Sequence, residues 1–450
     1  MDLTKDPLPK LLRQIAVPAA TGLFFQTLLN LTDTWFAGRL STLAQAALAL
    51  SFPLFFVLFT FSAGLATGTS ALVGRALGAG DDRLARCLGG QALLAAVAIG
   101  LLLSVLGVGI TGPAFVSMGA EGVYLDLCHE YMDTIFYAAP FFLLLSIANA
   151  FLTAQGDSRS MRNALGVAVI LNVFLDWWFI EGGFGLPALG VRGLALATIL
   201  VQVGALVFLW RRVMRTCLFR KGLKSTLKPD LELQKELMTQ VLPPSITQAS
   251  VGLGIYIINW FVGHFGAEAI AAFGVGVRIE QLILLPAMGI AMAVLPLTAQ
   301  NDGAGQLERA IEVRRMAVRW GAAISAFGFA MLFFGGHFLM GLVSPDEAVK
   351  AEGAWFLKFD AAAFFAYVLL YTNVSFLQGL KRPMFAVWMG LYRQIAAPLA
   401  VMWLLAFTMG LGTTGVWLGF AVVTVSGAII AEVYTRRVIR GRLTAAGISG

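Results

Sequence analysis

The chain has 450 residues, a formal net charge of +7, and a composition that is 58% hydrophobic, 12% aromatic and only 13% charged. So apolar a polypeptide cannot cover itself with a polar surface, which excludes an ordinary soluble globular protein. Its three cysteines, Cys87, Cys128 and Cys217, are odd in number and lack CxxC spacing, so neither a disulfide framework nor a zinc site is indicated.

Apolar runs long enough to cross a bilayer, about 20 residues each, number twelve. In chain order they lie at 11–37, 43–73, 87–111, 131–154, 163–181, 190–211, 239–264, 270–298, 316–340, 355–378, 384–409 and 415–435. Such spans must be helices, because hydrocarbon offers no partner to an open backbone. The 49 glycines suit close helix packing in lipid. The first run is too long for a signal peptide, contains Asp33 and lacks a clear cleavage site, so it reads as a retained span. The predicted fold class is therefore an all-α membrane protein of twelve transmembrane helices.

The second six spans repeat the first six. A shift of 225 places Pro18 on Pro243, Trp35 on Trp260, Phe36 on Phe261, and Gly78-Ala79-Gly80 on Gly303-Ala304-Gly305. A shift of 223 pairs Gln155-Gly156 with Gln378-Gly379, and 222 pairs Gly190 and Gly193 with Gly412 and Gly415. Six is even, so the copies are parallel repeats, an organisation of transporters that bind substrate between their halves. The expected units are an N-lobe at 1–215, a cytoplasmic linker at 216–234 and a C-lobe at 235–450. All but six of the 32 basic residues fall on one side of the membrane, including the cluster from Arg211 to Lys235 and Arg436, Arg437, Arg440 and Arg442. The positive-inside rule then puts both termini in the cytoplasm of a multi-pass protein of the cell (inner) membrane. These flanking charges account for the net charge without nucleic acid.

More than three residues from any span end, the only acids are Asp33, Asp176, Glu280 and Asp360, with Arg278 and Arg393 as the only bases. Intramembrane charge is costly and is a functional hypothesis by default. Asp33 lies six residues before Arg39, Asp176 five before Glu181, and Thr198 six after Arg192. At a rise of about 1.5 Å per residue, all three sit at one depth, roughly 8–9 Å below the outer rim. Asn172 is one turn from Asp176 on the same face. The repeat equivalents are apolar: Ile258, Ile395, Leu399 and Phe420.

Two carboxylates in a low-dielectric layer cannot both stay ionised cheaply, which suits a proton carrier. Asn172 and Thr198 add neutral oxygens, which suits Na⁺. Glu280, deeper in its span, is expected to meet cationic substrate or steady a kink. Asp360, close to Lys358, is expected at the rim, and Arg393 is expected to be structural, its long stem reaching inward. Phe56, Tyr131 and Tyr137 are aromatic candidates for a cavity that takes lipophilic cations. Pro18, fifteen residues before Asp33, is placed to bend the first span and move the aspartate.

Taken together, Pro18 with Asp33, Gly78-Ala79-Gly80, Gln155-Gly156, Asn172-Val-Phe-Leu-Asp176, Arg278-Ile-Glu280 and Gln378-Gly379 resemble the multidrug and toxic compound extrusion (MATE) family over essentially the whole chain. Residues 239–264 hold no acid, and in this the chain is similar to the DinF-like branch. The resemblance implies an antiporter that exports organic cations against H⁺ or Na⁺, with a cation site at Asp33, Asn172, Asp176 and Thr198. It also implies a substrate-cavity position at Gln26. No cofactor, structural metal or obligatory protein partner is expected, and a monomer in the lipid bilayer is. The alternative is a lipid-linked saccharide flippase of the same superfamily, although such proteins carry extra helices and a strongly basic cavity. An enzyme is not expected, since no Ser/His/Asp grouping or nucleotide cradle occurs.

Overall fold

The computed structural model describes residues 2–183, 185, 187–216 and 228–445. Cys217 and residues 217–227 of the expected linker lie outside them. The described residues are helical apart from short connections: α1 Leu8–Leu40, α2 Thr42–Gly78, α3 Asp82–Ser117, α4 Gly122–Tyr137, α5 Ala139–Ala154, α6 Arg159–Glu181 and α7 Gly190–Met214. The second series comprises α8 Leu231–Gly263, α9 Ala267–Gly303, α10 Leu307–Gly341, α11 Glu347–Gly379, α12 Met384–Leu391, α13 Ala397–Met402 and α14 Gly412–Ala445. Two π-helical stretches, Tyr392–Ala396 and Trp403–Thr408, join α12 and α13 into one interrupted helix over 384–408.

Eleven described helices are long and apolar enough to cross a membrane, and α4 with α5 makes a twelfth span bent by 48°. That fourth span, expected over 131–154, starts at Gly122 and breaks at Ala138. Pro140 explains the break, since its ring and missing N–H oppose a straight helix. The equivalent span of the second half, α11, has no proline and runs unbroken for 33 residues.

Short polar turns punctuate the apolar helices. Ser41 accepts the Ala44 N–H at 2.9 Å, and Asp81 accepts the Leu84 N–H at 2.8 Å, supplying helix starts with the acceptors they lack. The turns after α2 and α9 each place a glycine at nearly the same left-handed φ, 74° at Gly80 and 73° at Gly305. That conformation is cheap only without a Cβ, so the repeated glycines mark one turn built twice.

The described chain forms two compact units: residues 21–245, and residues 1–20 with 246–450. The chain therefore passes from one unit to the other inside α1, just after Pro18, and inside α8, just after Pro243 and Pro244, and not at the 216–234 segment. A proline cannot donate to the carbonyl four residues earlier, so the helix is weakest where it changes unit.

Each transferred arm is pinned by a buried amide. In the unit of 21–245, Gln91 donates to the Lys228 carbonyl at 2.8 Å and accepts from the Gln234 amide at 3.0 Å. In the other unit, Asn301 donates to the Leu3 carbonyl at 3.1 Å, and Arg309 donates to the Asp6 carbonyl.

Close helix approach follows the same symmetry. A Cβ on Gly64 would stand 2.8 Å from the Val241 carbonyl oxygen, and one on Gly289 would stand 2.6 Å from the Ala16 carbonyl oxygen. Glycine at these repeat-related positions is what lets α2 and α9 receive the arms.

Candidate functional site

Asp33, Asn172, Asp176 and Thr198 come together inside the unit of residues 21–245, from α1, α6 and α7. The Thr198 hydroxyl donates to Oδ2 of Asp33 at 3.0 Å. Asp176 and the Asn172 side chain are neighbours of the Asp33 carboxyl. The two carboxyls are buried, Asp33 at 8% exposed and Asp176 at 0%, while Thr198 is half-buried. Among the described residues four of its buried oxygens meet no basic or hydroxyl donor, namely Oδ1 of Asp33, both carboxylate oxygens of Asp176 and Oδ1 of Asn172.

Buried polar atoms are normally paired, and a buried unpaired charge is far costlier than an unpaired amide. A layer of adjoining acceptors with no basic partner is short of positive charge. A proton or a small cation with oxygen affinity is the chemistry that completes it. Helix geometry makes the layer: Asn172 and Asp176 are one turn apart on α6, so both present to Asp33 from one face.

The other sequence candidates are distributed differently. Tyr131, on α4, is buried close to both aspartates and so borders the layer. Gln26 is half-buried on α1, seven residues from Asp33 and therefore on the same face. Phe56 is half-buried in an aromatic row of α2, its ring 6.0 Å from Phe52 and 5.8 Å from Phe59. Tyr137 is 68% exposed beside the α4–α5 break, so packing within the chain does not hold it.

Glu280 belongs to the other unit and is buried there with Asp360 and Tyr367, beside the half-buried Arg393. Asp360 is not at the rim as expected: it is 0% exposed. Residues two apart on a helix face different ways, and Lys358 turns outward over the Trp355 ring at 5.4 Å while Asp360 turns in. Arg393 also has a more definite place than a snorkelling stem, over the rings of Tyr367 and Tyr371. Sequence reading missed this second cluster because a π-turn sets the direction of Arg393.

Comparison with known proteins agrees with this architecture. The MatE family profile matches residues 18–178 and again 243–402, once in each repeat. The chain is 27% identical over 419 residues to the probable multidrug resistance protein YoeA of Bacillus subtilis, covering 90% of this chain and 88% of that one. It is likewise 27% identical over 403 residues to a FAD transporter of Shewanella oneidensis, covering 87% of each. A crystal structure of MATE in the bent conformation superposes with a TM-score of 0.91 over 99% of this chain and 98% of that one, at 24% identity, which speaks for the fold. A twice-matched profile, a repeated six-span architecture and relatives aligned along nearly their whole length lead to one conclusion: the chain belongs to the MatE family of membrane transporters and is not an enzyme.

Proposed function

We propose that this transporter is a secondary active antiporter that exports cationic or amphipathic organic compounds in exchange for H⁺, with Na⁺ as the alternative coupling ion. The observation that carries the reading is the layer of Asp33, Asn172, Asp176 and Thr198, whose two buried carboxyls adjoin with no basic side chain among the described residues to neutralise them. An antiporter needs a site whose occupancy by the ion changes its affinity for substrate, because a ligand shifts a conformational equilibrium only through differential affinity. Neutralising the layer removes the negative charge that attracts an organic cation. Ion entry from outside then favours drug release, with α1 bending at Pro18 as the layer changes charge. Ion release inside restores the charge and the drug site.

The same reading places the protein in the cell (inner) membrane as a monomer with both termini in the cytoplasm. Gln26, Tyr131, Phe56 and Tyr137 are assigned to substrate contact. The test is ethidium transport in proteoliposomes under an imposed pH gradient or an imposed Na⁺ gradient, with wild type and Asp33→Asn. Transport driven by the pH gradient and lost in the variant supports the H⁺ reading, and transport driven by Na⁺ alone changes the ion but keeps the layer. No organic-cation transport under either gradient overturns the function in favour of lipid-linked saccharide flipping. A second substrate arm with FAD is warranted, since a relative equally similar to YoeA carries the name FAD transporter.

A further inference from the structure

The unit containing residues 246–450 holds its own buried charged cluster, at positions the repeat does not relate to the aspartate layer. Glu280 comes from α9, where it is 6% exposed. Asp360, Tyr367 and Tyr371 come from α11, spaced seven and four residues apart and so aligned on one helix face. Arg393 comes from the π-helical stretch Tyr392–Ala396. Pro398 follows shortly and cannot donate to the Gln394 carbonyl, which suits a widened turn just before it.

The guanidinium carbon lies 5.1 Å from the Tyr367 ring centroid and 5.8 Å from that of Tyr371. The two rings are stacked 6.2 Å apart, 16° from parallel. Arg393 also interacts electrostatically with both Glu280 and Asp360. Among the described residues no basic side chain forms an ion pair with the fully buried Asp360, and the buried Tyr367 hydroxyl lies beside both Glu280 and Asp360.

Two aromatic faces backed by two carboxylates are the chemistry that recognises an organic cation. A planar guanidinium fits such a stack better than an ammonium. We propose that Glu280, Asp360, Tyr367 and Tyr371 form a cation cage whose permanent occupant is the chain's own Arg393, and that the vacated cage takes guanidinium or another small organic monocation. Arg393 supplies for this unit the positive charge that the aspartate layer must draw from solution. Where the antiport reading holds, Arg393 confines ion coupling to the unit of residues 21–245.

The test is thermal unfolding of the purified full chain in detergent, so it does not depend on transport or on the coupling ion. Arg393→Ala is expected to melt several degrees below wild type. Low-millimolar guanidinium chloride should recover part of that loss, while NaCl at the same concentration recovers less and wild type gains nothing from either. Arg393→Lys should melt between wild type and Arg393→Ala without additive, because an ammonium keeps the charge but stacks less well on the rings. Arg393→Ala combined with Asp360→Asn should melt above Arg393→Ala alone and lose its response to guanidinium, because the unpaired charge is gone. The proposal is overturned if Arg393→Ala melts like wild type, or if guanidinium acts equally on wild type, the single variant and the double variant. If Arg393→Ala yields no folded protein, the comparison of Arg393→Lys with the double variant decides: a folded double variant supports the cage, and its failure alongside a folded Arg393→Lys overturns the charge-balance argument.

Discussion

Thr198 gives its single hydroxyl proton to Oδ2 of Asp33 at 3.0 Å, and among the described residues no hydroxyl or basic side chain reaches Oδ1. The contact joins α7 to α1 and spends the donor that faces the acids. It therefore competes with whatever ion neutralises Asp33. Removing it with Thr198→Val keeps the volume but leaves the layer hungrier for positive charge. A hydrogen bond to a charged group contributes about 1.5–3 kcal/mol. The half-saturating concentration of the coupling ion should then fall by about tenfold or more, with slower turnover, because the ion leaves reluctantly. Efflux measured against external ion concentration checks this. A rise in half-saturation would instead make the Thr198 oxygen an ion ligand.

Asp33 and Asp176 are neighbours that act on one another, so their substitutions should not add. Asp33→Asn and Asp176→Asn are each expected to abolish ion-driven efflux, with Asp33→Asn/Asp176→Asn no worse than either. Detergent-solubilised protein should remain folded in all three, because an amide replaces an acid of the same shape. The check is proteoliposome efflux beside a melting curve. Near-normal pumping by either single variant would remove that residue from the coupling layer.

Much of this arrangement was legible because depth in a membrane can be counted. Asp33, Asp176 and Thr198 each lie five or six residues from a charged rim residue, and that spacing alone put them in one layer. The repeat was equally readable from Pro18 with Pro243 and Gly78-Ala79-Gly80 with Gly303-Ala304-Gly305. Asp360 was not: proximity to Lys358 suggested a rim, whereas a two-residue offset points the side chains apart. The structural, inward-reaching role of Arg393 was legible but its partners were not, because counting assumes an α-helical turn throughout and Tyr392–Ala396 is wider. The exchange of helix arms between units was also hidden, since a helix continuous through Pro18 gives no local sign of which unit each end joins.

Pro18 sits inside an otherwise continuous α1, close to the point where the chain changes unit. Its missing N–H leaves the Gln14 carbonyl without the usual helical donor. Pro18→Ala restores that bond, and alanine is about 3 kcal/mol more favourable than proline in a helix interior. The variant is expected to melt at or above the wild-type temperature while transporting more slowly, because stiffening resists the bend that carries Asp33. Equal efflux rates in the two proteins would show that transport does not use this hinge.

Gly64 and Gly289 make a sharp packing prediction, because a methyl at either would meet helix backbone, unlike one at a helical glycine with open space around it. A Cβ on Gly64 meets Ser245 Oγ at 1.9 Å and the Val241 carbonyl at 2.8 Å; a Cβ on Gly289 meets the Ala16 carbonyl at 2.6 Å and Ala20 Cβ at 2.7 Å. Backbone atoms appear in both sets, so a rotamer change cannot relieve the clash, and the arm must move away from α2 or α9. Overpacking of this kind typically costs about 1–3 kcal/mol. Gly109, in α3, has nothing within 4 Å of its would-be Cβ. There the substitution should be neutral or slightly stabilising, since alanine favours helix by about 1 kcal/mol over glycine. Gly64→Ala and Gly289→Ala should therefore lower the melting temperature together while Gly109→Ala does not. Ser245→Ala in the Gly64→Ala background should rescue little, because the Val241 carbonyl remains in the way. Full rescue by Ser245→Ala would mean that the hydroxyl alone, and not the close approach of the helix backbone, requires glycine at position 64.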